Sequence, residues 1–407
     1  MSRAEPALSP RIVQAVARAR DCAASPRVDI PPDGRERTRV AVVGDPQAPI
    51  AAFFAVLDHH RLLGDDGWLV PDIALISIGD HFDWGGRAER EEAVASGLQL
   101  LAWLAAHPRD QVITVAGNHD LCRLGELADF DDDDFAAAHT EAVLAYRDGH
   151  TDPDREADFL SQYPALPSVE VAARDMAAFS VAQRDLVAAM IRAGRMRAAV
   201  ACGGILLSHA GVTSHELAAL GIEWPMTVSD SRPERCADSA SIASIAAALS
   251  EAVAAQVAGW TGGALHVPGL HRPGDSRYGE GRGMFFHRPC NPASEGAAAL
   301  LSGEYRRRYD PRQLPRGVVQ AVGHISDRKC RKLLGPWAHG APARPGQLRH
   351  LRSDSDGVRY AAGLPEGWSG RPVTAQRDAA LMIFTDGGMR SAPTRDYQLL
   401  ELAPAAL

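Results

Sequence analysis

Four stretches decide the fold, and they read RVAVVGD at residues 39–45, IALISIGD at 73–80, VITVAGNHD at 112–120 and GILLSHAG at 204–211. Each is a short run of Val, Ile, Leu and Ala that ends abruptly in Asp, Asn or His. Short apolar runs of this kind are typical of strands buried on both faces. Three later stretches extend the pattern: VVQAVGHI at 318–325, ALMIFTDGG at 380–388 and YQLLEL at 397–402.

Segments with helical periodicity lie between these predicted strands, for example at residues 51–63 and 90–106. The β-α-β-α order predicts an α/β sandwich. In open α/β sheets, ligands bind beyond the carboxyl ends of the strands, where successive loops meet. Because the predicted strands end in Asp, Asn or His, we expect a functional site at that edge.

The domain organisation follows from changes in composition. Residues 1–38 combine a possible helix at 11–20 with the Pro- and charge-rich stretch SPRVDIPPDGRER, and we interpret them as a peripheral N-terminal arm. The main domain spans about 39–400. It contains a helical, acidic insertion at about 126–198 and an irregular insertion at about 260–316, rich in Gly, Pro, His and Arg. The acidic run Asp131–Asp134 lacks the alternating oxygen ligands of a calcium loop, so a solvated surface is favoured.

Charge and cysteine content exclude some classes of protein. The net charge of -8 argues against nucleic-acid binding, and the cluster Arg306–Arg308 is interpreted as a solvated loop. Six widely spaced cysteines without a CxxC pair indicate neither a zinc knuckle nor a disulfide framework, so reduced thiols in a cytoplasmic protein are expected. No secretory signal or membrane span is predicted, and the Ala-rich segment 242–257 is interpreted as a packed amphipathic helix.

Six polar residues at the ends of the predicted strands carry the chemistry. They are Asp45, Asp80, Asn118, His119, His209 and His324. Carboxylate, amide and imidazole donors together suit manganese, iron or zinc better than calcium. Two such cations sharing one carboxylate could generate hydroxide near neutral pH and stabilise an in-line displacement at phosphorus.

The order of these residues resembles the calcineurin-like metallophosphoesterases. The blocks that carry the resemblance are Gly44-Asp45-Pro46-Gln47, Gly79-Asp80-His81-Phe82-Asp83, Gly117-Asn118-His119-Asp120, Ser208-His209-Ala210-Gly211 and Gly323-His324. Taken together they are highly specific, although GD or GH alone would mean little. The resemblance extends from about residue 39 to 388, without the irregular insertion. It implies a four-layer sandwich, in which two mixed β-sheets are flanked by helices and carry a helical cap.

The resemblance also implies a role for each site residue. Asp80 would bridge two divalent metal ions; Asp45 and Gln47 would complete the first site, and Asn118, His209 and His324 the second. His119 would be the general acid, oriented and kept protonated by Asp83. A metal-bridging hydroxide would attack a phosphomonoester or phosphoanhydride.

Two positions depart from the family pattern. Gln47 stands where most members have histidine, so the first site would bind metal more weakly. Trp84 stands where the related GDxxxRG motif has its phosphate-binding arginine; Arg87 or Arg123 could replace that arginine. The stretches GNHDLCRL and LLSHAGVT and the closing TDGG are similar to the branch that contains symmetrical diadenosine tetraphosphate hydrolases and Ser/Thr protein phosphatases. Nuclease-like members usually have GHxH, but Ser326 occupies its second histidine position.

Several alternatives stay open at this point. Any one of the strand-end residues could simply be a turn or cap residue. His81 could face substrate or pack beside the site; Trp84 and Trp260 could stack on a base or pack in the core. His266, His271 and His287 could bind a metal, although substrate contact or hydrogen bonding is favoured.

The substrate could be a phosphorylated small molecule or a phosphoprotein. Because of Gln47 and Trp84, a catalytically weak binding or regulatory protein on the same scaffold is the alternative function.

Overall fold

The structure is a computed structural model, and it describes residues 8–147, 149–224, 239–371 and 379–404. The helices in these ranges are α1 (Pro10–Ala24), α2 (Ile50–His59), α3 (Arg90–Ala105), α4 (Asn118–Leu121), α5 (Asp132–Ala145), α6 (Pro153–Gln162), α7 (Val169–Arg174), α8 (Val181–Arg192), α9 (Ser214–Ala219), α10 (Ser239–Ala258), α11 (Ala297–Leu301) and α12 (Asp327–Leu334). The strands are β1 (Arg39–Val43), β2 (Ile73–Ile78), β3 (Val112–Val115), β4 (Met196–Arg197), β5 (Ala199–Cys202), β6 (Ile205–Ser208), β7 (His271–Arg272), β8 (Arg282–Gly283), β9 (Arg288–Pro289), β10 (Arg308–Tyr309), β11 (Val319–Val322), β12 (Arg349–Asp354), β13 (Gly357–Ala362), β14 (Ala380–Phe384) and β15 (Leu400–Leu402).

Two large mixed sheets form the centre of the molecule. The first has the order β15-β1-β2-β3-β4, with β1 to β4 parallel and β15 antiparallel to β1. The second has the order β13-β12-β14-β11-β6-β5, with β6, β11 and β14 parallel to one another. Consecutive parallel strands need crossover connections, which α2 and α3 supply in the first sheet.

The layers are held together by separate apolar clusters. One face of each sheet meets the other sheet, where Val42 and Ile76 of the first pack with Leu207 and Ile383 of the second. The opposite face of the first sheet packs on α1, α2 and α3, and that of the second packs on α12. This arrangement confirms the predicted fold class of two mixed sheets flanked by helices, and it explains why the strands are apolar on both faces.

The seven strands predicted from sequence are all present, as β1, β2, β3, β6, β11, β14 and β15. The predicted helices at 51–63 and 90–106 are observed as α2 and α3. The helix α2 ends earlier than predicted, because Arg61 adopts a positive φ of 59° that interrupts the helical path.

Helix α1 packs closely on the domain. Ser9 caps its N-terminus by accepting a hydrogen bond from the backbone of Ile12. Ile12, Ala15 and Ala19 are buried in the cluster that α1 shares with α2 and α3. The boundary at residue 38 stays a prediction, but residues 10–24 bury more apolar surface than the term peripheral suggests.

The helical insertion has its own apolar cluster, built around Phe135, Phe159 and Val169. The acidic run is explained by helix capping, because Asp131 accepts a hydrogen bond from the backbone N–H of Asp134 and the remaining acids lie in the first turn of α5. Negative charge is favourable there, since the N-terminus of a helix carries a partial positive charge.

One helix, at residues 241–258, is long and apolar enough by length and composition to cross a membrane, which the sequence prediction did not anticipate. Helices in the cores of globular proteins can have the same length and composition. Here α10 packs against β5 and α8, and Ile242, Ile245, Leu249 and Val253 are buried.

Five of the cysteines are free thiols, namely Cys22, Cys122, Cys202, Cys290 and Cys330. Cys236 lies outside the described residues.

Candidate metal centre

The strand ends of both sheets converge at one edge of the sandwich. Asp80 follows β2 and Asn118 follows β3 of the first sheet, while His209 follows β6 and His324 follows β11 of the second. Asp45 follows β1. The ends of parallel strands share an edge, which is why residues nearly 300 positions apart meet here.

His209 lies at the centre of the cluster. Its Nε2 atom is 3.0 Å from Oδ1 of Asn118, 3.1 Å from Nδ1 of His324 and 3.3 Å from Oδ2 of Asp80. One donor atom from each of Asp80, His209 and His324 lies within 4.8 Å of the others. Two imidazoles, a carboxylate and an amide oxygen in this arrangement fit a divalent transition metal.

Backbone carbonyls fix which ring nitrogen each histidine presents. Nδ1 of His209 donates to the carbonyl oxygen of Ile78 at 2.8 Å, which leaves Nε2 free as a ligand. Nε2 of His324 donates to the carbonyl oxygen of Phe286 at 2.9 Å, which leaves Nδ1 free. Both free nitrogens point to the same place, as expected where the second nitrogen of a metal-binding histidine is held by a carbonyl.

The backbone of the site is strained. Asp80, Asp83 and His324 have positive φ angles of 55°, 65° and 69°. Among the described residues, Arg61 is the one other non-glycine residue with a positive φ. Such conformations are costly for residues with a Cβ and are concentrated at functional sites.

Two glycines make room for the carboxylates. A Cβ atom at Gly117 would collide with the side chain of Asp80, and one at Gly323 would collide with Oδ1 of Asp45. Glycine is therefore needed before Asn118 and before His324 for a steric reason, because a carboxylate that follows another strand lies directly against each of these positions.

Asp120 supports the centre, and the sequence prediction assigned it no role. Its buried carboxylate accepts hydrogen bonds from the backbone N–H groups of Gly117 (2.7 Å), Asp80 (3.0 Å) and His81 (3.2 Å). Nδ1 of His81 adds a fourth contact at 3.0 Å. Asp120 thus holds the turns after β2 and β3 together; its place in the GNHD block was the available signal.

Asp45 also lies at the site. Both of its carboxylate oxygens are within 3.1 Å of the backbone N–H of His324. Burial and the nearby carboxylate of Asp386 raise the pKa of Asp45 well above its usual range. A second cation beside Asp45 would relieve this unfavourable burial of negative charge.

The pKa values of the two histidines at the centre are shifted in opposite directions. Burial opposes a charged imidazole, but the Asp80 carboxylate raises the pKa of His209 to about 10. Burial, together with repulsion from Arg288 and His209, lowers the pKa of His324. A metal ion bound by Nε2 of His209 would therefore displace a proton.

His119 forms a second cluster with Asp83 and Arg123. Nδ1 of His119 is 3.0 Å from Oδ2 of Asp83, and Nη1 of Arg123 is 2.8 Å from the same oxygen. The other oxygen of Asp83 accepts from the backbone N–H of Ala178, in the helical insertion, at 2.8 Å. Burial lowers the pKa of His119, but Asp80 and Asp83 outweigh it and raise that pKa to about 9. The ring is therefore positioned and protonated as an acid requires.

The expectation that Arg123 reaches substrate is wrong. Its side chain is fully buried, and its guanidinium group also donates to the carbonyl oxygens of His119 and Ala178. Arg123 instead orients Asp83. Arg87 is exposed in the 3-10 helix Arg87–Glu89, and its role as a substrate contact stays a prediction.

The remaining candidates take different places. Gln47 is half-buried, and its role as a ligand stays a prediction. His81 packs beside the site, because its ring is buried between Asp120 and the hydroxyl of Ser77 at 2.9 Å. Trp84 is buried against Ala93 and Ala178, so it packs in the core rather than stacking on a base.

In the irregular insertion, His266 and His287 make hydrogen bonds, which is one of the two uses that the sequence favoured. His266 contacts the hydroxyl of Tyr305 at 2.6 Å, and His287 contacts the carbonyl oxygen of Gly211 at 2.9 Å. His271 is buried beside Phe286. The indole N–H of Trp260 donates to the carbonyl oxygen of Gly263.

A cavity opens beside the centre. Both insertions form its walls, and it is lined by Asn118, His119, Cys122, Glu126, Pro167, Val171, Asp175, Met176, Glu280, Gly281, Phe286 and Arg288. His119 faces it, so a group bound at the metal centre would lie within reach of the imidazole.

One family of known proteins matches part of the chain. Residues 38–186 match the family described as calcineurin-like phosphoesterase. The solved structures include a protein serine/threonine phosphatase from Saccharomyces cerevisiae with similarity to human phosphatase PP5. It is 11% identical and aligns over 93% of this chain and 90% of its own length, but with a TM-score of only 0.30. No curated protein matches the chain.

The family match and the site geometry support a metal-dependent phosphoester hydrolase. Residues 38–186 are similar to the calcineurin-like phosphoesterases. Asp45, Asp80 and Asn118 lie within the matched part; His209 and His324 lie beyond it and are brought to the same site by the second sheet.

Proposed function

We propose that the protein hydrolyses a phosphomonoester or phosphoanhydride at a centre of two divalent cations. The proposed ligands are Asp45, Gln47, Asp80, Asn118, His209 and His324, with Asp80 shared between the cations. The observation that carries the proposal is the convergence of Asp80, His209 and His324, whose donor atoms lie within 4.8 Å of one another. When bound, manganese, iron or zinc ions would activate water for attack and stabilise charge on the phosphoryl oxygens.

His119 is the proposed general acid. Its Nε2 atom is 3.9 Å from Oδ2 of Asp80, so it lies at the edge of the proposed centre, and its other nitrogen is held by Asp83. In this position, protonated His119 donates a proton to the leaving-group oxygen as the bond to phosphorus breaks. Asp83 and Arg123 keep the ring oriented throughout.

The proposed substrate is a phosphorylated small molecule. The cavity beside His119 is walled on both sides by insertions, which supports a compact ligand over a protein surface. A phosphopeptide is the competing substrate. The GNHDLCRL and LLSHAGVT stretches support a place near the diadenosine tetraphosphate hydrolase and protein phosphatase branch. The free thiols of the described chain support the proposed cytoplasmic localisation.

Metal analysis followed by a turnover assay tests the function. The purified protein is stripped, reloaded with manganese, iron or zinc, and assayed with an aryl phosphate, dinucleoside polyphosphates and phosphopeptides. We expect two metal ions per chain and turnover that requires them. Substoichiometric metal and no phosphate release from the whole panel would instead indicate the weakly catalytic binding protein.

A further inference from the structure

The cavity beside His119 has an unusual charge distribution. Three carboxylic acids line it, Glu126, Asp175 and Glu280, whereas Arg288 is the one Lys or Arg side chain among the described lining residues. Arg288 comes from the irregular insertion, which falls outside both the predicted motif blocks and the matched family residues.

The guanidinium group of Arg288 is only loosely paired. Its Nη1 atom is 3.6 Å from Oε2 of Glu280, which is a weak contact, and Glu280 also pairs with Arg307 at 3.2 Å. Nε of Arg288 is buried without a hydrogen-bond partner. The side chain is 12% exposed, and that exposed part faces the cavity. A cationic side chain that is mostly buried and only loosely paired is stabilised by an anionic ligand at its exposed part.

Arg288 also lies close to the proposed metal centre. It lines the same cavity as His119 and Asn118, which is a proposed metal ligand. Two residues earlier, the carbonyl oxygen of Phe286 accepts the hydrogen bond that orients His324. One short segment of the insertion therefore contacts a proposed metal ligand and places a cation beside it.

We propose that Arg288 binds the phosphoryl oxygens of the substrate, an inference that rests on the proposed function. Arginine suits this role because its planar group can donate two parallel hydrogen bonds to one phosphate. Arg288 would take the place of the arginine that the chain lacks at Trp84.

Binding of inorganic phosphate to the manganese-loaded full chain tests this role. Calorimetry would compare the wild type with Arg288→Ala, Arg288→Lys and a matched control, Arg282→Ala. Arg282 lies in the same insertion and carries the same charge, but it packs on Tyr278 and does not line the cavity. We expect a loss of about 10- to 100-fold in phosphate affinity for Arg288→Ala, a smaller loss for Arg288→Lys, and a change below about twofold for the control.

Metal content and thermal unfolding of each variant separate a binding effect from misfolding. If Arg288→Ala does not fold, Arg288→Lys decides, because it keeps the charge and loses only the fork geometry. Wild-type affinity in the Arg288 variants, or an equal loss in Arg282→Ala, would overturn the proposal. Phosphate binding is measured without turnover. If the wild type shows no turnover but Arg288→Ala still loses phosphate affinity, the hydrolase function is contradicted and the role of Arg288 in phosphate binding is not.

Discussion

Two regions build the same site in different ways. The strand ends contribute side chains from β1, β2, β3, β6 and β11, which the hydrogen bonds of two sheets hold in register. The irregular insertion contains two-residue strands, the helix α11 and one turn of 3-10 helix at Pro311–Gln313. It is held by buried residues such as Phe285 and by loop hydrogen bonds such as that from the backbone N–H of Met284 to the carbonyl oxygen of Leu270. The comparison indicates that the sheets fix the proposed metal ligands, whereas the insertion lines the cavity beside them.

The largest expected effect is at the shared carboxylate. Asp80→Asn removes a charge from both proposed metal sites, so turnover of an aryl phosphate should fall by about a thousandfold or more. Metal content, measured by elemental analysis, should fall with it. Asp354→Asn, at the far end of β12, is the control. If Asp80→Asn kept full turnover and two bound metal ions, the strand ends would not form the metal site.

His119→Asn should lower kcat by about 10² to 10⁴, because the leaving group would lose its proton donor. Metal content should stay unchanged, since His119 is not a proposed ligand. The measurement is steady-state turnover at saturating manganese, with a substrate series of differing leaving-group pKa. The loss should shrink for good leaving groups; an equal loss for all of them would contradict an acid role.

Glu126 connects the two insertions, and its protonation allows this contact to be tested. Burial raises the pKa of Glu126 to about 7, although its Oε1 accepts a hydrogen bond from the backbone N–H of Gly274 at 2.6 Å. The folded state therefore holds this proton more tightly than the unfolded chain. The stabilisation is complete below pH 4.5, the ordinary value, and is lost as the pH rises to about 7.

Glu126→Gln should remove this dependence. The amide keeps the acceptor for Gly274 without the buried charge, so the variant should be more stable than the wild type at pH 8 by up to about 3 kcal/mol. Denaturant unfolding at pH 8 and pH 4.5 measures the difference. An equal difference at both pH values would contradict the assignment.

The smallest expected effect belongs to the support of the strand ends. Asp120→Asn would replace one acceptor oxygen with a donor that faces backbone N–H groups. We expect metal affinity to fall about 10- to 100-fold, as when other residues behind metal ligands are changed. Titration with manganese measures it. An unchanged affinity would indicate that the turns hold their shape through strand pairing alone.

Sequence was sufficient for the strands and for most of the strand-end residues, since apolar runs and terminal polar residues are visible without coordinates. It was insufficient where the role of a residue depends on its burial and on the residues that contact it. Arg123 reads as a possible substrate contact, yet it is fully buried against Asp83. Phe286 orients His324 through its backbone carbonyl, and a backbone contact of this kind cannot be predicted from residue type. Arg288 looks like any other loop arginine until the fold brings it beside His119.

The hydrogen bond between Phe286 and His324 has a thermodynamic consequence. A cation at the proposed site would order His324 and, through this hydrogen bond, the segment that carries Arg288. Conversely, a phosphate group held by Arg288 would fix the carbonyl that orients His324. By reciprocity, cation and phosphate must then enhance each other's affinity by the same factor, so the metal requirement measured for this protein should depend on how much phosphate is present.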